Sequence, residues 1–165
     1  MLLNKGSLTM NSWVCSAFIL TGLLSPNVYS AAPSPSQLNM TKQIETAIEW
    51  TSHMRDEVRK GTKSNPNEIK GDLAGIKSFL SAMSLTAGQI VLESPSEKTE
   101  GHFTEMRRFQ DAATFAAKDF PIPISGKNPN FSKMKAATKE IMANLENAKH
   151  WHELELSEIG KHQQD

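Results

Sequence analysis

The sequence predicts an all-α protein, an antiparallel up-down-up-down bundle of four helices, preceded by a short export signal. Three observations predict it. Four stretches repeat apolar residues at three- and four-residue spacing. Pro, Gly and Asn punctuate the gaps between them, and the one alternating stretch, Pro121 to Ile124, is too short and too proline-rich for a strand. Most of the gaps are short, which favours antiparallel neighbours.

The first thirty residues read differently from the rest. They hold one charged residue, Lys5, then an apolar run from Trp13 to Leu24 and a Ser25-Pro26 break. Val28-Tyr29-Ser30 follows, with small or β-branched residues at the positions a signal peptidase reads. The apolar run is too short to span a hydrocarbon core of about 30 Å as a helix. Residues 1–30 are therefore expected to be a cleaved signal peptide, with Met1 or Met10 as the start, and the mature protein to be periplasmic or secreted with no membrane span. Cys15, the single cysteine, lies within the apolar run and not at a lipoprotein cleavage point. The mature chain then has no thiol, which excludes disulfide-linked partners, thiolate metal sites, a Cys nucleophile and covalent c-type haem.

Residues 31–36 (AAPSPS) read as a Pro/Ser tether, and residues 37–165 as the bundle. The first helix is expected over 37–60, with a stripe of Met40, Ile44, Ala47, Ile48, Thr51, Met54 and Val58 and a stop at Gly61. The second opens at Asn65-Pro66, a cap followed by proline at the first helical position, and ends at Ser94-Pro95. Ile69, Leu73, Ile76, Leu80, Met83, Ala87 and Val91 form its stripe, and Gly75 and Gly88 are placed to allow close helix contact. The third follows a capping box at Ser94-Pro95-Ser96-Glu97 and buries Phe103, Met106, Phe109, Ala113, Ala116, Ala117 and Phe120. A proline-rich loop follows, residues 121–129. The fourth helix runs over about 130–163, with Phe131, Met134, Thr138, Ile141, Leu145, Ala148, His152, Leu156 and Ile159 on its stripe and His162 beyond.

The whole chain carries 18 Lys+Arg against 18 Asp+Glu and shows no basic run of the density nucleic-acid binding needs. It has no Gly-rich phosphate loop, no His-Glu-x-x-His and no Ser nucleophile elbow, so an enzyme is not expected. Asn39-Met40-Thr41 and Asn130-Phe131-Ser132 match the glycosylation pattern, which has meaning only in a eukaryotic host.

In an up-down-up-down bundle the start of helix one, the end of helix four and the helix two–three turn share an end. That end gathers Met40, His102 and His162. Met and His ligate haem iron in electron carriers, so Met40 and His162 are candidate metal ligands and His102 a candidate cofactor contact. Met40 reads equally well as a core residue. The chain resembles the soluble periplasmic b-type cytochromes, four-helix bundles that hold haem b without covalent bonds. The resemblance rests on Leu38-Asn39-Met40 near the start of the first helix and Lys161-His162-Gln163 near the C-terminus. It implies an electron carrier with a redox partner protein. The long loop lies after helix three here and after helix two in that family, and the helices here are longer. The alternative is a cofactor-free, exported protein-binding module, with Trp50, Trp151 or Leu154 in an exposed apolar patch. A third reading places a Zn²⁺ or Cu²⁺ between His53 and His152, if helices one and four bring them to one level.

Overall fold

The computed structural model describes residues 32–94, 101–122 and 128–161, with side chains to 159. The expected signal peptide, the Ser94-Pro95-Ser96-Glu97 capping box beyond Ser94, and His162 lie outside the described residues. Four helices carry the chain: α1 (Pro35–Arg59), α2 (Pro66–Glu93), α3 (Gly101–Lys118) and α4 (Phe131–Lys161). No strand occurs among the described residues. The helices pack on one another as an all-α four-helix bundle, with α1 against α2 and α4, and α3 against α4 and α2.

Local chemistry sets the boundaries. The Ser34 hydroxyl accepts from the Gln37 backbone N–H, and the Gln37 side chain accepts from the Ser34 N–H, a reciprocal box with Pro35 at the first helical position. Helix α1 therefore starts two residues before the expected position, inside the segment read as a tether, and Ser36 is buried. It stops at Gly61, whose φ of 60° is open to glycine at little cost. The Asn65 side chain accepts from Asn67 N–H and starts α2. The Asn130 side chain accepts from Lys133 N–H and starts α4.

Contacts between helices fix their directions. Ser36 donates to Glu93 at 2.7 Å and Asn39 to Thr86 at 3.4 Å, while His53 meets Asp72 farther along. Helices α1 and α2 are thus antiparallel. Gln37 bonds Glu155, Thr41 bonds His152, and Lys149 pairs with Glu45, so α1 and α4 are antiparallel as well.

The buried residues are largely the expected stripes. Met40, Ile44, Met54, Ile69, Ile76, Met83, Met106, Met134, Ile141 and Leu145 are completely enclosed. The methionines suit the irregular gaps between crossing helices. Ile48, Val91, Phe109 and Phe131 lie at the rim of the core instead of inside it. Of the two glycines expected to permit close contact, Gly75 does so: a Cβ there would fall 2.6–2.9 Å from the Trp50 ring. Gly88 faces open space and makes no such contact.

Candidate functional site

The α1–α4 seam contains the most concentrated buried polar chemistry of the described residues. Gln37 and Thr41 are one turn apart on α1. His152 and Glu155 are three residues apart on α4, so both lie on one face. All but Thr41 are almost fully enclosed: Gln37 4 %, His152 1 % and Glu155 4 % exposed. His152 Nε2 lies 3.0 Å from the Gln37 carbonyl oxygen and 3.1 Å from Thr41 Oγ1. A carbonyl only accepts, so Nε2 carries the hydrogen. That leaves Nδ1 facing Glu155 Oε2 at 3.7 Å, and neither atom has a hydrogen-bond partner. The other carboxylate oxygen accepts from Gln37 Nε2 at 3.2 Å. With its hydrogen on Nε2, the imidazole is held by the Gln37 carbonyl and Thr41 and not by the carboxylate. Here enclosure keeps substrate away from both groups, and the cluster joins two helices.

Met40 and His102, the candidate haem contacts, occupy different settings. Met40 is 0 % exposed within the apolar core, next to Gln37 and Ile44 along α1. His102 stands at the start of α3, where Nδ1 meets Glu158 Oε2 at 3.1 Å and the ring lies 5.4 Å from that of Trp151. In this packing the Met40 sulfur is sealed in the core and the His102 imidazole is engaged by two α4 side chains, while His162, the ligand expected to pair with Met40, lies outside the described residues. No step is assigned to a haem.

His53 and His152 do not share a level. His53 Nδ1 contacts Asp72 Oδ2 on α2 at 2.8 Å, and the hydrogen bond, helped by the carboxylate's charge, raises the His53 pKa. His152 contacts α1 at Gln37 and Thr41, at least twelve residues before His53, or about 18 Å along the helix. The expectation of a shared metal level fails because the register of α4 on α1 is set at Gln37 and not at mid-helix. No group of three metal-ligating side chains occurs among the described residues.

A second feature lies on the outside of α2. Ala74, Ser78, Ser81, Leu85, Gly88 and Leu92 are all exposed and recur at alternating four- and three-residue spacing. Each lies five positions after a buried residue from Ile69 to Ala87, about 140° around the helix from the core stripe. Leu85 is 74 % and Leu92 82 % exposed, the highest values among the large apolar side chains. The patch anticipated at Trp50, Trp151 or Leu154 is not where the apolar surface concentrates. Trp50 leans on Gly75, and Trp151 packs against the core and the His102 ring. Two leucines at heptad spacing, off the main stripe of an already apolar helix, were the sequence signal for this feature. Protein-family models, curated proteins and solved structures show no match to the chain, so its functional reading rests on these surfaces alone.

Proposed function

We propose that the protein is an exported, cofactor-free helical module that docks a helix of a partner protein along the outer stripe of α2. The observation that carries this is the exposure of Leu85 and Leu92 at heptad spacing, with Ala74, Ser78, Ser81 and Gly88 between and below them. Single exposed leucines are ordinary on protein surfaces. Two leucines flanked by small residues along one seam have the pattern by which one helix seats another, large side chains as knobs and small ones as holes. Helix α2 is the one described helix whose length and composition match a membrane span, yet only 33 % of that apolar window is buried in the bundle. Apolar surface therefore remains for a partner. The signal-like pattern of residues 1–30 supports export.

Site-specific photocrosslinking in the export compartment tests the reading. A photoreactive phenylalanine analogue at Leu85 or at Leu92 is expected to give one discrete protein adduct, lost on Leu92→Glu in the Leu85-labelled chain. Labels that yield no adduct, or only lipid adducts, would refute the docking of a helix. The haem alternative is settled by an absorption spectrum of the same preparation. A Soret band with sharp α and β bands on reduction, lost on Met40→Ala, would replace the cofactor-free reading with an electron carrier.

A further inference from the structure

We propose that the groove between the end of α1 and the start of α4 is a second docking site, which receives an extended acidic segment of a partner protein with carboxylates at alternate positions. The groove encloses about 530 Å³. Arg55 and Arg59 line one wall and Lys135 and Lys139 the other, against a single lining carboxylate, Glu146. Val58 and Met142, core side chains at 0 % and 7 % exposure, supply an apolar floor.

Three observations point to an acidic occupant. First, the cations outnumber the carboxylates that meet them. Arg55 and Arg59 share the exposed Asp56, at 3.7 Å and 3.4 Å, and such surface pairs contribute little. Lys135 and Lys139 have no ion pair among the described residues, where every Lys pair involves Lys60 or Lys149. Second, the Arg55 guanidinium is only partly engaged within the chain: an Nη donates to Ser52 Oγ at 2.9 Å, and Nε lies beyond hydrogen-bond distance of Asp56. The side chain is 39 % exposed, so its remaining N–H groups can meet an incoming carboxylate. Third, among the described residues no acidic stretch adjoins the groove. The α3–α4 connection, residues 119–130, has Asp119 as its one acid.

Spacing favours an extended ligand. Each wall presents its two cations at i and i+4, about 6 Å apart. Alternate side chains of an extended chain lie about 6.8 Å apart on one side, so successive carboxylates meet successive cations. Residues between them are free to face the Val58–Met142 floor.

The test is fluorescence anisotropy of the purified protein with a labelled Glu-Val-Glu-Val-Glu-Val peptide, with a Gln-Val analogue as control. Saturable binding is expected for the Glu peptide alone, and it weakens as salt rises. Lys135→Glu with Lys139→Glu should weaken it at least tenfold. Ala143→Trp, an exposed lining position, should do the same with no change of charge. Arg108→Glu with Lys118→Glu, outside the groove, should leave it within twofold. The absence of saturable binding, an equal loss in the outside variant, or binding to phosphatidylglycerol vesicles without binding to the peptide would each overturn the proposal. Leu92→Glu should leave peptide binding unchanged, so this site and the α2 stripe fail or stand separately.

Discussion

Helices α1 and α4 meet along one seam that is closed at one end and open at the other. At the Gln37 end, polar groups reach across and bond: His152 to the Gln37 carbonyl and Thr41, Gln37 to Glu155. At the Arg59 end, both helices present cations that cannot bond one another, and a groove of about 530 Å³ lies between them. The same pair of helices thus supplies a latch and an opening. What distinguishes the ends is the pairing of donors with acceptors, since apolar residues lie beneath both. A buried polar network specifies register, whereas unmatched like charges leave room for a partner.

Breaking the closed end should have the largest effect. His152→Leu removes the Nε2–H donor from the enclosed Gln37 carbonyl and is expected to cost about 2 kcal/mol in urea unfolding. Adding Glu155→Leu, which removes the acceptor of the Gln37 side chain, should bring the total cost to less than the sum of the two single changes, because both act through Gln37. A strictly additive cost would show that the two contacts hold this end independently.

The α1–α2 seam offers an intermediate test with a sign reversal. Gly75→Ala should destabilise the protein by roughly 1 kcal/mol, because the new methyl displaces the Trp50 ring. In a Trp50→Ala background the same change should stabilise it by up to about 1 kcal/mol through helix propensity alone. Neither change should alter peptide binding in the groove, so each separates bundle stability from the open end.

At the open end, Lys139→Met should leave stability within about 0.5 kcal/mol, the usual range for a surface change. It should still weaken binding of the acidic peptide. A large loss of stability would mean that the cations brace the seam.

The smallest effects are those of pH. Asp72 raises the His53 pKa, so the pair's contribution is complete below the unfolded value of about 6.5 and is lost as pH rises through the folded one. Glu57 has the opposite sign. Lys60 first, and then the Asn65 N–H, lower its pKa, so its contribution is present above the unfolded carboxylate value and is lost as pH falls. Asp72→Asn should flatten the first dependence and Lys60→Met reduce the second, both measured as urea midpoints against pH. NMR titration of His53 gives the sign directly.

The fold was legible in the sequence because each helix carries a long single stripe and an explicit start or stop. Asn65-Pro66 and Gly61 act where their chemistry predicts. The Ser34-x-x-Gln37 box, also written in the sequence, was obscured by the prolines around it. The site was less legible. His152 lies on the predicted stripe, but its importance depends on Gln37, 115 positions away. No local pattern states which turn of α1 faces which turn of α4. The same missing register hides the groove, since Arg55, Arg59, Lys135 and Lys139 form no run until the helices are paired. Met40 and His102 share a helix-end position in the sequence, yet helical phase sends one into the core and the other to the α3–α4 surface.

Trp50 on Gly75 and Trp151 beside His102 have a practical consequence. One indole sits on the α1–α2 contact and the other on the α3–α4 contact. Emission from each reports solvent reaching its own half of the bundle. With Trp13 and one of these two indoles replaced by Phe, stopped-flow unfolding can time the two helical hairpins separately without a dye. Unequal rates would identify the half that yields first, and equal rates would show that the latch at Gln37 makes the four helices separate as a single unit.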